Sequence, residues 1–176
     1  MSALSVLAAM SGGVDSAVAA ALLHEAGHRV TGVTLRLACY GRTPMSPKAC
    51  CTLDAIDDAR RVAMSLDFPY HVLDAEEVFK HRVMQPFVDD GRTPYPCALC
   101  NQHLKFGDLV TRMELVGADR LATGHYAQVR TEPDGSFGLY RAVDGAKDQT
   151  YALALIPYAV LARVLFPLGA LHKSEG

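Results

Sequence analysis

The sequence predicts an α/β domain built on a parallel central sheet, and three observations predict it. Short apolar, β-branched runs alternate with segments of helical apolar period in the order β-α-β-α-β, which calls for right-handed crossovers onto one sheet. A polar turn containing two glycines, Ser11–Ser16, separates the first run from the first helix. The chain has 176 residues, half of them apolar and a fifth charged. That is enough to bury one core, and too ordinary a composition for a disordered, collagen-like or fibrous protein.

The elements follow in order. Ser5–Ala9 is a short apolar strand, and Val14–Glu25 is a helix that Gly27 stops. Arg29–Leu37 is β-branched and alternating and reads as the second strand. Asp54–Leu66 carries the helical period, and Pro69–Leu73 is a third strand bounded by Pro69 and Asp74. Glu76–Val88 reads as a helix closed by the turn-rich Asp89-Asp90-Gly91-Arg92-Thr93-Pro94-Tyr95-Pro96. The stretch from Cys97 to Val116 is helical, with Leu99, Leu104, Phe106, Leu109, Val110 and Met113 on its apolar side. Arg120–Thr123 is a strand. Tyr126–Arg130 and Gly138–Ala142 form a hairpin turned by Asp134-Gly135. Thr150–Leu155 and Tyr158–Val164 read as helical, until Phe166-Pro167-Leu168-Gly169 breaks the pattern.

Charge and length narrow the function classes. Lys plus Arg number 17 and Asp plus Glu 19, a net charge of −2, so attraction to nucleic acid has to be local. The longest apolar stretches, such as Ala17–Leu23, are far shorter than the ~20 residues of a membrane span. The N-terminus lacks a basic leader region, which points to a cytoplasmic protein that does not engage a membrane. Five cysteines (Cys39, Cys50, Cys51, Cys97 and Cys100) are an odd number. They favour metal, redox or nucleophilic use over a disulfide framework.

The turn Ser11-Gly12-Gly13-Val14-Asp15-Ser16 sits where a phosphate would meet a helix N-terminus. Its glycines permit positive φ and close backbone approach, and the helix amides and dipole attract anions. Ser11 and Ser16 add hydroxyls, and Asp15 suits Mg²⁺ or the orientation of the loop. The pattern is neither G-x-x-x-x-G-K-[ST] nor G-x-G-x-x-G. A plain glycine turn with a Ser/Asp cap would use the same residue types.

Cys97-Ala98-Leu99-Cys100 places two thiols three residues apart where a loop enters a helix. Helix N-termini stabilise thiolates, so either can be a nucleophile. The spacing also suits joint binding of zinc or an iron–sulfur cluster, with Cys50-Cys51 as the only obvious second pair. A buried or idle thiol pair is the remaining reading. His125 in Thr123-Gly124-His125-Tyr126 reads equally as a packed core residue or a group beside a nucleotide. Lys147-Asp148-Gln149 alone reads as a solvated turn, and Asp57-Asp58 with Arg60-Arg61 as a solvated helix face.

The glycine turn resembles the pyrophosphate loop of enzymes that cleave ATP to AMP and pyrophosphate, among them tRNA thiolases, tRNA lysidine synthetase, GMP synthetase, NAD synthetase and argininosuccinate synthetase. The string from Gly91 through Asn101 to Phe106 is similar to the signature of tRNA-specific 2-thiouridylase. Three further pieces agree in order: Cys50-Cys51-Thr52-Leu53-Asp54 leading into Asp57–Ala63, then Ala122-Thr123-Gly124-His125-Tyr126-Ala127, then Lys147-Asp148-Gln149-Thr150-Tyr151. Two departures are a cysteine at Cys97, where many members carry Asp, and Tyr95 in place of the common Asn.

The resemblance implies a Rossmann-like adenine nucleotide alpha hydrolase (PP-loop) fold over residues 1–170. Residues 171–176 would begin a continuation holding a second catalytic cysteine, a small β-rich domain and a β-barrel. It implies that ATP adenylates the C2 oxygen of the wobble uridine of a tRNA, and that a persulfide sulfur then displaces AMP to leave 2-thiouridine. It places the nucleophile on Cys100, with Cys97 as its partner in an iron–sulfur cluster or a transient disulfide. ATP contacts fall on Ala9, Met10, Ser11, Gly12, Gly13, Val14, Asp15, Ser16, Leu35 and Gly124, with Mg²⁺ as cofactor. Contacts with tRNA fall on Lys147, Asp148, Gln149 and the segment before Cys100. The sulfur comes from a persulfide donor protein, a cysteine desulfurase or a relay. Another PP-loop pyrophosphatase, or a shortened module that binds nucleotide or tRNA without chemistry, are the competing readings.

Overall fold

A computed structural model of the chain describes residues 2–37, 52–89 and 96–175. Five parallel strands form the central sheet: β1 (Ser5–Ala9), β2 (Arg29–Arg36), β3 (Tyr70–Asp74), β4 (Arg120–Thr123) and β7 (Val164–Leu165), in the order β3-β2-β1-β4-β7. The chain moves outward from β1 through β2 to β3, then returns to the other side of β1 as β4. The strand order therefore reverses between β1 and β4. In open parallel sheets, ligands bind outside the carboxyl ends of the strands at such a reversal. The loop after β1 and the loop after β4 meet there.

Alternation along β1 assigns its two faces. Val6, Ala8 and Met10 pack with Ala20 and Leu23 of α1 (Val14–Glu25) and with Ala59 and Ala63 of α2 (Leu53–Ser65). Leu7 faces the other way, into a second cluster with Val33, Leu35, Leu104, Phe106, Leu109, Met113 and Leu121. A strand covered on both faces reads as an unbroken apolar run, and Val6, Leu7 and Ala8 are all buried. Thr52 caps α2, its hydroxyl accepting from the Ala55 amide at 3.1 Å, with Asp54 in the first turn to complement the helix dipole. Asp57 and Asp58 pair with Arg60 and Arg61 on the exposed side, as the charge pattern predicts.

The two long helices expected over 76–88 and 97–116 are present but are not uniform. The first runs as α3 (Glu76–Phe79), a π-helical segment Lys80–Met84 and α4 (Gln85–Asp89); the second as α5 (Pro96–Cys100), a π-helical segment Asn101–Asp108 and α6 (Leu109–Leu115). Such wide turns carry an extra residue within an otherwise helical run and concentrate at functional sites. The second begins at Asn101, immediately after Cys100.

The hairpin forms as expected, with β5 (Ala127–Thr131) antiparallel to β6 (Phe137–Arg141), and the Asp134 side chain accepts from the amide and the hydroxyl of Ser136. The segment after it departs from expectation. Thr150–Leu153 is a 3-10 turn, and α7 is only Tyr158–Leu161. Val164, expected at the end of a helix, instead pairs together with Leu165 against Leu121 and Ala122 as the edge strand β7. A two-residue strand has no period of its own, so its apolar residues were indistinguishable from the tail of a helix. Pro167 then ends it, and 3-10 turns follow at Pro167–Ala170 and Lys173–Glu175. No helix among the described residues is long and apolar enough to cross a membrane.

Candidate active site

The loop 11–16 is organised largely by its own residues. The Ser16 hydroxyl, nearly buried, accepts from the Ser11 amide at 3.1 Å and donates to the Gly13 carbonyl at 2.8 Å, while the Ser11 hydroxyl lies 3.3 Å away. Only Gly12 takes positive φ, at +77°, and a Cβ there would lie 2.2 Å from the Ala55 carbonyl oxygen in the first turn of α2. Gly13 does not use the positive φ its residue type permits: it is the N-cap of α1 at φ −83°, ψ 155°, and a Cβ there meets nothing closer than 3.5 Å. No side chain caps α1, which leaves its N-terminal amides facing the loop.

Behind the loop, the Met10 amide donates to the Val33 carbonyl and the Met10 carbonyl accepts from the Thr34 hydroxyl at 2.7 Å. The Met10 side chain is buried against Gly32, so only its backbone faces the cleft. Leu35 also packs into the core, at the carboxyl end of β2. Val14 is the most exposed apolar residue of the loop. Asp15 pairs with the Lys173 ammonium, which also sits 5.7 Å from the centre of the Tyr126 ring. The Asp144 carboxylate holds the Lys173 amide at 3.0 Å and so positions that lysine.

Across the strand reversal, residues 123–126 make contact in three directions. Gly124 lies against the first turn of α1: a Cβ there would stand 2.6 Å from the Ser16 amide nitrogen and 2.8 Å from the Asp15 carbonyl oxygen. Only glycine fits so close to another backbone. His125 lies 2.8 Å through Nδ1 from the Thr123 hydroxyl and 3.5 Å through Nε2 from the Asn101 amide nitrogen. The rings of Phe106 and Phe166 flank it, each with its centre at 6.2 Å. Burial, and secondarily the charge of Lys105, pushes its pKa down to about 3, so the ring is neutral. The Tyr126 amide donates to the Gln149 side-chain carbonyl at 3.0 Å, and the Gln149 amide returns a bond to the Tyr126 carbonyl at 2.9 Å.

The thiols lie at one end of this arrangement. Cys97 is exposed and Cys100 half-buried on α5, and neither is in a disulfide. The next residue, Asn101, is buried and donates to the Ala152 carbonyl at 2.9 Å, so α5 is held against the turn that follows residues 147–149. Within that triplet the side chains divide. Asp148 accepts from the Ala142 amide, the Thr150 hydroxyl and Arg141; burial opposes its ionisation, but these donors hold its carboxyl below the usual range. Gln149 is committed to Tyr126, which leaves Lys147 as the exposed member. Among the described residues no three His, Cys, Asp or Glu side chains gather where a metal could sit. Cys39, Cys50, Cys51 and the Gly91–Tyr95 string lie outside the described residues.

The tRNA methyl transferase HUP domain family matches residues 4–175. The chain belongs to this family. Among the proteins this HUP domain is similar to is the tRNA-specific 2-thiouridylase MnmA of Cytophaga hutchinsonii, 47% identical over 175 residues that cover 97% of this chain and 47% of that protein. The protein of the same name from Solibacter usitatus is 48% identical over 180 residues, 97% of this chain and 48% of its own. The chain spans about half the length of the curated relatives it matches. A solved structure described as a predicted subunit of tRNA methyltransferase from Methanocaldococcus jannaschii superposes with a TM-score of 0.51 at 15% identity, covering 97% of this chain and 71% of that one, a likeness of fold alone.

The HUP domain contains site residues that the sequence reading did not single out. Asn101 sat inside the cysteine motif without a role, Thr123 inside the strand, and Lys173 in the tail. No local pattern points to Asn101 or Lys173, because their partners lie 51 and 158 positions away; Thr123 pairs with His125 only two positions on, but a threonine in a strand reads as a β-former. A buried asparagine beside a candidate nucleophile is the one signal that could have found Asn101, since buried amides are held by partners.

Proposed function

We propose that this domain binds ATP across the strand reversal and is the nucleotide-binding half of an enzyme of tRNA 2-thiolation, inactive without the second cysteine that the family resemblance implies: adenylation of the C2 oxygen of the wobble uridine, then displacement of AMP by a persulfide sulfur to give 2-thiouridine, with release of AMP and pyrophosphate. One observation carries the reading: residues 123–126 touch the glycine loop, the cysteine helix and the 147–149 turn at once. The names of the relatives supply the substrate class.

The roles divide accordingly. The backbone of residues 9–14 and the amides at the start of α1 hold the phosphates, aided by the hydroxyls of Ser11 and Ser16. Asp15 suits a magnesium ion, which binds through one or two carboxylates together with phosphate oxygens. Mg²⁺, when bound, neutralises triphosphate charge and sharpens the α-phosphorus as an electrophile. Asp15 would hold that ion, and the Lys173 ammonium, which pairs with Asp15 in its absence, would then stand beside the phosphates. Leu35 and Gly124 border the nucleotide. Cys100, near the N-terminus of its helix, is the sulfur nucleophile: the outer sulfur of its persulfide bonds to C2 as AMP leaves, the Cys97 thiolate then attacks Cys100 Sγ to close a transient Cys97–Cys100 disulfide and release 2-thiouridine, and a thiol reductant reopens that disulfide. No step is assigned to a cluster. Lys147 meets tRNA phosphate, while Asp148 and Gln149 shape the turn that presents it. The persulfide donor is a separate protein, a cysteine desulfurase or a relay, and the setting is the cytoplasm.

Calorimetric titration with ATP and Mg²⁺ tests the nucleotide site. Asp15→Ala is expected to weaken binding about tenfold or more, given a charged ligand contact; equal affinity would remove the loop from the site. AMP release that depends on tRNA supports thiolation. AMP release with a small acid and no tRNA would favour another PP-loop pyrophosphatase, and binding without AMP release a module that lacks chemistry.

A further inference from the structure

We infer that His125 is a positioning residue for Cys100: its ring, protonated on Nδ1, bridges Thr123 at the end of β4 to Asn101 and so fixes the thiol-bearing helix relative to the strand that abuts the glycine loop. The inference rests on the proposed role of Cys100 and names the element that sets where this nucleophile stands.

The tautomer follows from counting donors. The Asn101 side chain lies 2.9 Å from the Ala152 carbonyl oxygen, which only accepts, so the atom there is the amide nitrogen and the orientation of the amide is settled. The same nitrogen has a second hydrogen, and His125 Nε2 lies 3.5 Å from it, at the outer edge of hydrogen-bonding reach. An amide nitrogen cannot accept, so Nε2 presents its lone pair. The ring proton is then on Nδ1, 2.8 Å from the Thr123 hydroxyl oxygen, which accepts it. Each ring nitrogen of the bridge then has a partner of the matching kind.

Packing holds the bridge in place. Phe106 comes from the π-helical segment that Asn101 opens, and Phe166 follows β7 and meets the ring edge-on at 88°. Three elements far apart in sequence therefore converge on one imidazole. Asn101 is adjacent to Cys100, and Gly124 lies between Thr123 and His125. A shift in the glycine loop that displaces Gly124 would reach the cysteine helix through this ring. With both ring nitrogens engaged, His125 orients the helix and does not itself exchange protons with substrate.

Two measurements on the 176-residue chain test the bridge. Long-range ¹H–¹⁵N spectra of the imidazole at neutral pH should show His125 protonated on Nδ1 alone; protonation on Nε2, or on both nitrogens, would overturn the inference without any variant. Site-resolved alkylation with iodoacetamide then compares two substitutions. His125→Gln places a carbonyl oxygen near the Nε2 position and keeps the bond from Asn101, whereas His125→Asn reaches only the Nδ1 position and loses it. Loss of one hydrogen bond shifts a local opening equilibrium by about fivefold, so His125→Asn should speed alkylation of Cys100 by about that factor and leave Cys97 and the ATP affinity within about twofold. His125→Gln should stay near the wild-type rate. Equal rates in the two variants, or equal acceleration at both thiols, would contradict a positioning role. The nucleophile reading is judged separately, by whether a Cys100→Ser enzyme still forms 2-thiouridine, so either can fail alone.

Discussion

The two strand exits that form the site are built in opposite ways. The exit from β1, residues 11–16, carries hydrogen bonds within itself: the Ser11 amide and the Ser16 hydroxyl are five positions apart, and Ser16 bonds Gly13 three positions back, while its long-range ties are the approach of Gly12 to Ala55 and the Asp15–Lys173 pair. The exit from β4, residues 123–126, is held from elsewhere: His125 by Asn101 across 24 positions, Tyr126 by Gln149 across 23, and Gly124 by a backbone contact with α1. One is a local device that its own residue types specify. The other takes its shape only when distant parts of the chain have folded onto it. A locally specified loop suits a task that needs only backbone amides and hydroxyls, such as cradling phosphate. A turn held from a distance suits the task of relating sites to one another.

That contrast predicts where substitutions act most strongly. The largest effects belong to the close backbone approaches, since Gly124→Ala and Gly12→Ala each force a Cβ into main-chain atoms that cannot swing away. Each should lower stability by about 3 kcal/mol, read from urea unfolding, with weakened ATP binding in whatever folds. Gly13→Ala, with nothing within 3.4 Å, serves as the control and should lose far less.

A pH effect comes next, and it belongs only to the β4 exit. The folded pKa of His125, about 3, lies below its usual 6.5, so between those values the unfolded chain binds the proton and the folded chain does not. Stability from this group is therefore full above about pH 6.5 and falls as the pH drops toward 3, by up to about 1.4 kcal/mol per unit. Asp134, Asp144 and Asp148 also have lowered pKa values, but their contributions fade only as the pH falls below the ordinary carboxylate range. Denaturant unfolding from pH 7 to 4.5 should show the slope, and His125→Gln should flatten it.

Asn101→Ala removes the donor that both His125 and Ala152 use and leaves a buried carbonyl without it. A loss of about 2 kcal/mol is expected. The smallest contrast lies within one turn. Asp148→Ala gives up bonds to Ala142, Thr150 and Arg141 and should lose about 1–2 kcal/mol. Lys147→Ala should stay within about 0.5 kcal/mol of wild type while weakening tRNA binding. The reverse pattern would mean that the turn contacts RNA through Asp148.

The same division decides what could be read in advance. Helix α1, its stop at Gly27 and the hairpin turn at Asp134 are set by neighbours in sequence, and each lies where the residue pattern places it. The edge strand β7 has two residues and a partner more than forty positions away, so nothing local announces it. The π-helical start at Asn101 looks like ordinary helix in any apolar count. Asp148 is the sharpest case: a charged residue in a Gly- and Asp-rich turn reads as solvated, yet its side chain is only 10% exposed and holds the turn together.

The central claim is that the β4 exit joins the nucleotide loop to the cysteine helix. Hydrogen–deuterium exchange with and without ATP and Mg²⁺ tests it most directly. The account predicts slowed exchange at residues 11–16, at 124–126 and at 100–104 together, with the last of these lost in His125→Asn while the first remains. Protection confined to residues 11–16 in the wild-type chain would show that the two exits are independent.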